Sequence, residues 1–261
     1  MLHTDTYPAT NPDLPPLLIV HGLFGSARNW GAIARQLSDR RRVVAVDMRN
    51  HGASLHHPDH SYAAMAADLA QVIGAGRMDV LGHSMGGKAA MHLALTRPDL
   101  VDRLIVADIA PVAYGHDQTG HVRAMLALDL TGLTTRREAD RRMALTTPDP
   151  ALRAFFLQSL DLKGEAGPHW RLNLPVLAAE MAGIVGWPGT HGQFPGPALF
   201  LSGADSSYVQ PEHRPAITAL FPHARFARIP GAGHWLHAEK PRAFVETVAV
   251  FLSAGRGTAF A

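Results

Sequence analysis

The stretch Val80-Leu81-Gly82-His83-Ser84-Met85-Gly86-Gly87 decides the fold, because an apolar run ends there in a serine with a glycine two residues away on each side. This G-x-S-x-G spacing is typical of a sharp turn from a strand into a helix, where any side chain at Gly82 or Gly86 would clash. The turn exposes the Ser84 hydroxyl, and the N–H of Met85 at the start of the helix faces developing negative charge. We therefore predict that Ser84 is a nucleophile in acyl transfer.

Other segments provide the partners that a serine nucleophile needs. Residues 21–25, His-Gly-Leu-Phe-Gly, close an earlier apolar run, and residues 231–235, Gly-Ala-Gly-His-Trp, provide a late histidine. A serine hydroxyl is a weak nucleophile until a base takes its proton. His234 is the candidate base among sixteen histidines, because its glycine-containing turn can bring an imidazole close to Ser84. Asp108, a carboxylate that ends an apolar run, needs a partner to offset its desolvation and is a candidate acid.

Length and composition allow one large α/β domain. A chain of 261 residues can bury a sizeable core, and its net charge of +2 comes with scattered arginines, which argues against a nucleic-acid partner. The lack of cysteine excludes disulfides, thiolate metal sites and a cysteine nucleophile. Neither a secretory signal nor an apolar run of membrane-spanning length is found, so a cytoplasmic protein is expected.

Short apolar or mixed runs alternate with helical patterns, which predicts a mostly parallel sheet covered on both faces. The predicted strands are residues 17–20, 43–46, 78–81, 104–107, 198–201 and 225–229. The predicted helices are residues 28–37, 62–73, 85–95, 211–220 and 242–252. Functional side chains are expected at the carboxyl ends of such strands.

The alternation stops between residues 111 and 196. No strand is predicted in this stretch, and its helical segments are residues 121–130, 136–145 and 151–160. We expect these residues to form a helical lid, or cap, inserted after the Asp108 strand and lying above Ser84. The core would then consist of residues 1–110 and 197–261.

The motifs together resemble the α/β-hydrolase superfamily and, within it, the YbfF-type bacterial esterases. The matching segments are residues 21–26, 47–52, 82–88, 108–111 and 231–241, with a looser match in the cap around residues 170–173. The resemblance implies hydrolysis of carboxylic esters or acyl thioesters with short- to medium-chain acyl groups, acyl-CoA included, without a cofactor or metal. The triad roles imply an acyl-enzyme intermediate.

The same resemblance also indicates which residue is the acid that orients His234. Most α/β-hydrolases carry it in a G-x-x-D pattern after the strand at residues 198–201, but here Ser206 has that position and Asp205 lies one residue earlier. The YbfF-type enzymes instead have the acid at the earlier strand and a serine at the later one. We therefore predict that Asp108 orients His234, with Ser206 as an accessory hydrogen-bonding residue and Asp205 as the alternative acid.

The oxyanion hole is predicted to combine the N–H groups of Met85 and Leu23, with Phe24 as the alternative to Leu23. Phe24, Trp170 and Trp235 are the candidate substrate-binding residues, although packing within the cap would explain such aromatic side chains equally well. Lys88 is expected to form a structural ion pair. The cluster at residues 56–60, His-His-Pro-Asp-His, is not favoured as a metal site because the proline argues against a helix.

Other functions stay open. A cofactor-free C–C bond hydrolase or a perhydrolase-like relative could use the same catalytic residues, and a non-catalytic ligand receptor could retain the fold. The expected partner is a small-molecule acyl ester or acyl-CoA, and the expected assembly is a monomer or a homodimer.

Overall fold

A computed structural model describes residues 1–115, 118–164 and 167–255, and within them the chain is organised around one seven-stranded sheet. Its strands are β1 Thr4–Tyr7, β2 Leu17–Val20, β3 Val43–Val46, β4 Met78–His83, β5 Val101–Ala107, β8 Ala198–Gly203 and β9 Ala224–Ile229. They lie side by side in the order β1-β3-β2-β4-β5-β8-β9. Strand β1 pairs antiparallel with β3, and every other neighbouring pair is parallel. The end of the predicted core range, residues 256–261, lies outside the described residues.

Helices cover both faces of the sheet. They are α1 Gly31–Leu37, α2 Tyr62–Ile73, α3 Met85–Thr96, α9 Arg214–Leu220, α10 Leu236–Glu239 and α11 Pro241–Ser253. Successive side chains of β2 enter opposite cores: Leu18 packs in the core that α2 and α3 complete, and Ile19 packs in the core that α1 and α11 complete. The predicted doubly covered, mostly parallel sheet is therefore confirmed.

The predicted strands and helices agree with the structure apart from their ends and one edge. Strands β2 and β3 and helix α2 have the predicted bounds. Helices α1 and α9 are shorter than predicted because their first turns, Ala27–Trp30 and Pro211–His213, are 3-10 helices. Strand β1 was not predicted, since its Thr-Asp-Thr-Tyr sequence lies at the sheet edge and carries no apolar run.

The residues between 111 and 196 form mostly short helices. These are α4 Thr119–Leu126, α5 Arg136–Met143, α6 Pro150–Leu157, α7 Leu174–Ala179 and α8 Met181–Val185. The prediction that this stretch lacks strands was wrong, because β6 Leu160–Asp161 and β7 His169–Trp170 pair as a two-stranded antiparallel sheet. Strands of two residues are too short to leave a periodic pattern, and α6 ends at Leu157, before the predicted residue 160.

Candidate active site

Ser84 lies in the strained turn between β4 and α3. Its backbone angles are φ 53° and ψ −122°, a conformation that a non-glycine residue rarely adopts. A Cβ at Gly82 would lie 2.3 Å from the Gly86 carbonyl oxygen, and a Cβ at Gly86 would lie 2.3 Å from the His21 carbonyl oxygen. The glycines are therefore required by close backbone approach, as the sequence predicted, and the turn presents Ser84 to a cavity.

A hydrogen-bonded chain joins the predicted nucleophile, base and acid. The distance from His234 Nε2 to Ser84 Oγ is 3.1 Å, and that from His234 Nδ1 to Asp108 Oδ2 is 2.8 Å. Because a carboxylate accepts and does not donate, His234 carries its proton on Nδ1, and Nε2 is left to accept the Ser84 proton. The geometry is therefore that of a base oriented by an acid and in contact with a hydroxyl.

Asp108, at the carboxyl end of β5, is fully buried and accepts hydrogen bonds on both oxygens. Oδ1 accepts from the Gly203 N–H at 3.1 Å, and Oδ2 accepts from the Ser206 hydroxyl at 2.5 Å in addition to His234. The backbone of Asp108 has φ 53°, so it bends away from the strand direction just where the carboxylate turns toward His234. Asp205 is exposed and its N–H donates to the Ala232 carbonyl, so the structure brings Asp108 and not Asp205 to the imidazole.

Tyr208 is a further contact of His234. The two rings are stacked with centroids 3.9 Å apart and planes 17° apart, and the Tyr208 N–H donates to Ser206 Oγ at 3.2 Å. The stack restricts rotation of the imidazole. Sequence patterns do not point to this residue, because Tyr208 lies in the loop after β8 and belongs to no periodic pattern.

The predicted oxyanion-hole residues lie beside Ser84. A Cβ on Gly22 would be 3.1 Å from Ser84 Cβ, so the turn that carries Leu23 packs against the nucleophile. The Phe24 N–H donates to His51 Nε2 at 3.2 Å, whereas the N–H groups of Leu23 and Met85 have no acceptor within the part of the chain that the structure describes. This pattern favours Leu23 over Phe24 as the second donor.

A cavity of about 290 Å³ opens in front of Ser84. Phe24 and Trp235 line it, together with Phe155, Phe156 and other side chains from the stretch between residues 111 and 196. Trp170 does not line the cavity, so its prediction as a substrate-binding residue is corrected. Its indole N–H donates to the Met125 carbonyl at 3.0 Å, which holds the half-buried ring beside α4.

Lys88 also lines the cavity, one turn after Ser84 in α3, and its predicted ion pair is a second correction. No carboxylate of the described residues pairs with its ammonium group. The Nζ atom donates instead to the carbonyls of Val185 at 2.8 Å and Gly186 at 2.5 Å, at the C-terminus of α8, and lies 4.8 Å from the Tyr114 ring centroid. Lys88 therefore joins the C-terminus of α8 to the helix that follows Ser84.

Burial lowers the pKa of Lys88 from 10.5 to about 7, which predicts a pH-dependent stability. Between these values the unfolded chain binds more protons than the folded one, so the free energy of unfolding should rise with pH. We expect the wild type to gain up to about 1.4 kcal/mol per pH unit relative to Lys88→Met. Urea unfolding of both proteins at pH 7, 8 and 9 measures the difference, and parallel pH profiles would contradict it.

The histidine cluster at residues 56–60 and the possibilities of a metal site and a membrane span are separate from this site. Across residues 1–115, 118–164 and 167–255, no group of three or more His, Cys, Asp or Glu side chains could hold a metal ion. His60 of the histidine cluster is buried and contacts Asn50 Nδ2 at 3.2 Å through Nδ1. Among the described helices, none has both the length and the apolar character needed to cross a membrane.

Comparison with known proteins agrees with this geometry. A family model described as the alpha/beta hydrolase fold matches residues 15–241. Mouse (Mus musculus) sn-1-specific diacylglycerol lipase ABHD11 is 41% identical over 252 residues, which cover 92% of this chain and 81% of the lipase. Esterase YbfF of Escherichia coli (strain K12) is 41% identical over 247 residues, which cover 91% of this chain and 93% of the esterase.

A solved structure described as a marine microorganism esterase is also similar. It superposes with a TM-score of 0.90 at 35% sequence identity, and the match covers 96% of this chain and 98% of that one. The resemblance to YbfF-type esterases is thereby confirmed, as is the fold. The chain belongs to the α/β-hydrolase fold family.

Proposed function

We propose that this protein is a serine hydrolase that cleaves carboxylic esters and acyl thioesters of short- to medium-chain acids. The observation that carries the proposal is the hydrogen-bonded chain from Ser84 through His234 to Asp108, which opens onto an apolar cavity. The names of the similar proteins, an esterase, a lipase and a second esterase, support ester chemistry.

In the proposed reaction Ser84 Oγ attacks the acyl carbon while His234 Nε2 takes its proton. Asp108 stabilises the resulting imidazolium through Nδ1, and Ser206 keeps the carboxylate in place. The N–H groups of Leu23 and Met85 bind the negatively charged oxygen of the tetrahedral intermediate. His234 then protonates the leaving alcohol or thiol, and a water activated by the same imidazole releases the acid from the acyl-enzyme.

The volume and lining of the cavity support the proposed short- to medium-chain acyl groups. Its volume of about 290 Å³ lies at the small end for ligand pockets, and its lining is largely apolar and aromatic. Phe24 and Trp235 line this cavity together with Ser84, so both are proposed to contact the substrate. A short or medium acyl chain fits such a space better than a long one.

The division of the chain is part of the proposal. Residues 1–110 and 197–261 would form the hydrolase core, and residues 111–196 the cap. Cap side chains line the cavity, among them Tyr114, Leu152 and Ile184, which supports a role in selecting the acyl group. The cytoplasmic location and the monomeric or homodimeric state stay predictions from the sequence.

Initial rates on p-nitrophenyl esters and acyl-CoA thioesters of increasing acyl length test the function. We expect turnover of both classes with an optimum at short or medium length, and stoichiometric labelling of the wild type, but not of Ser84→Ala, by a serine-reactive phosphonate. If the wild type neither turns over esters nor reacts with the phosphonate, a non-catalytic receptor is favoured. Turnover that rises up to long acyl chains would contradict the proposed cavity limit.

A further inference from the structure

The turn that carries Leu23 contains a residue in an unfavourable conformation. The Gly25 N–H donates to the Gly22 carbonyl at 3.0 Å, and Phe24 at the third position of this turn has φ 65°. A positive φ at that position is typical of a type II turn and normally requires glycine or asparagine. Phenylalanine there carries a steric cost, so contacts elsewhere must hold it.

Contacts from both the core and the cap hold Phe24. Its N–H donates to His51 Nε2 at 3.2 Å, and its carbonyl accepts from the Ser159 hydroxyl at 3.1 Å. Its ring packs edge-on against Phe156, with centroids 5.5 Å apart. The bond to His51 is the contact that the core provides to the Phe24 backbone, and it acts on the peptide between Leu23 and Phe24.

His51 is locked in the one protonation state that can accept this bond. The residue is fully buried, and its Nδ1 lies 2.9 Å from the Arg49 carbonyl oxygen, which can only accept. Nδ1 therefore carries the proton and Nε2 carries the lone pair. Burial lowers the pKa of His51 to about 3, so the ring stays neutral at the pH at which an esterase would be assayed.

A second imidazole, that of His21, also connects the turn at residues 22–25 with the segment at residues 48–51, but this time the turn side provides the imidazole and the other segment provides the N–H. His21, on the turn side, lies 2.7 Å through Nδ1 from the Gly22 carbonyl and accepts the Met48 N–H on Nε2 at 2.9 Å. The His21 and His51 ring centroids are 5.1 Å apart. The turn at residues 22–25 and the segment at residues 48–51 are thus joined by reciprocal bonds between imidazole and backbone amide groups.

We propose that His51 is a positioning residue for the oxyanion hole, which it keeps in shape by accepting the Phe24 N–H. Without that acceptor, Phe24 can relax toward negative φ only by rotating the Leu23–Phe24 peptide, and this rotation changes the turn that presents the Leu23 N–H. The inference rests on the proposed function, because it assigns the Leu23 N–H to the tetrahedral intermediate. It adds a residue that does not itself touch the substrate.

Paired variants separate the two nitrogens of the imidazole. In His51→Gln the longer side chain can place an oxygen where Nε2 accepts the Phe24 N–H. In His51→Asn the shorter side chain can keep the bond to the Arg49 carbonyl but cannot reach Phe24. His60→Asn is the matched control, because it removes a buried imidazole whose ring lies 5.6 Å from the His51 ring and bonds to Asn50, but forms no hydrogen bond with the turn at residues 22–25.

We expect His51→Asn to lower kcat on a short-chain ester about 30- to 100-fold with KM within about twofold, since loss of a whole oxyanion donor costs about 10²- to 10³-fold. The affinity for an alkyl boronic acid, which forms a tetrahedral adduct with Ser84, should fall by a similar factor. His51→Gln should recover most of both, and His60→Asn should stay close to the wild type. Rates are taken per Ser84 that reacts with a phosphonate, so that partial unfolding does not enter.

The outcomes are distinguishable. If His51→Asn keeps the wild-type kcat and boronate affinity and loses only stability, His51 is merely structural and the inference is wrong. If His51→Asn does not fold, Ser159→Ala provides the test, because it removes the other hydrogen bond to the Phe24 backbone. This variant should lower kcat about 3- to 10-fold without raising KM. An unchanged kcat would overturn the inference. If the wild type itself lacks ester turnover and phosphonate labelling, the proposed function fails and the inference fails with it.

Discussion

Replacing Ser84 by alanine is expected to lower kcat on an ester substrate by about 10⁶-fold, close to the rate that binding and the oxyanion hole alone can sustain. The substitution removes the only atom that forms the acyl-enzyme bond in the proposed mechanism. The fold should be retained, because alanine is no bulkier than serine at this strained turn and the glycines that permit the turn are unchanged. Single-turnover assays with a chromogenic ester, combined with urea unfolding, measure both effects.

Ser206→Ala is the matched control for this substitution. It removes another hydroxyl of the same site, one that donates to Asp108 at 2.5 Å and does not contact the His234 ring nitrogen facing Ser84. Loss of this hydrogen bond should lower kcat by about 10-fold, the effect of about 1.4 kcal/mol on a transition state. A Ser84→Ala enzyme that retains activity near that of Ser206→Ala would show that another group is the nucleophile.

The sequence predicts the central part of this fold well because buried parallel strands have continuous apolar runs. For that reason the first and last residues of β2 and β3 were predicted correctly. The turn at Ser84 was predicted because only glycine fits at the positions two residues before and after it. The edge strand β1 was not found, since half of its side chains face solvent. The cap was predicted as helical, but its helix ends and the β6–β7 pair depend on contacts between short segments.

The side-chain partners were harder to predict than the backbone. Lys88 was expected to pair with a carboxylate, but its partners are backbone carbonyls of Val185 and Gly186, which no residue type in the sequence can reveal. The environment of Trp170 could not be predicted either, because an aromatic residue in this part of the sequence can face the cavity or pack against neighbouring helices. Such choices depend on tertiary packing, which sequence periodicity does not record.

Asp108 shows how far sequence reasoning can go. A carboxylate at the end of an apolar strand predicts that a partner must exist, but sequence separation alone cannot exclude Asp205. The structure decides the geometry, because Asp108 is fully buried within 2.8 Å of His234 Nδ1 and Asp205 is exposed.

Asp108→Asn is expected to lower kcat by about 10⁴-fold with the fold intact. The asparagine carbonyl can still accept the Gly203 N–H, and its NH₂ group then takes the place of Oδ2 beside His234. An NH₂ group facing Nδ1 favours the tautomer with the proton on Nε2, and that nitrogen can no longer accept the Ser84 proton. Rates of acylation by a chromogenic ester, measured across pH 6 to 9, record the loss.

Asp205→Asn provides the control, since it makes the same chemical change on an exposed side chain after the neighbouring strand β8. We expect this variant to retain kcat within about twofold, because exposed substitutions away from a bonded network have small effects. The reverse pattern, a crippled Asp205→Asn enzyme beside an active Asp108→Asn enzyme, would mean that the loop after β8 supplies the acid during turnover. His234 would then have to leave the carboxylate that it contacts in this structure, and the proposed tautomer would have to be revised with it.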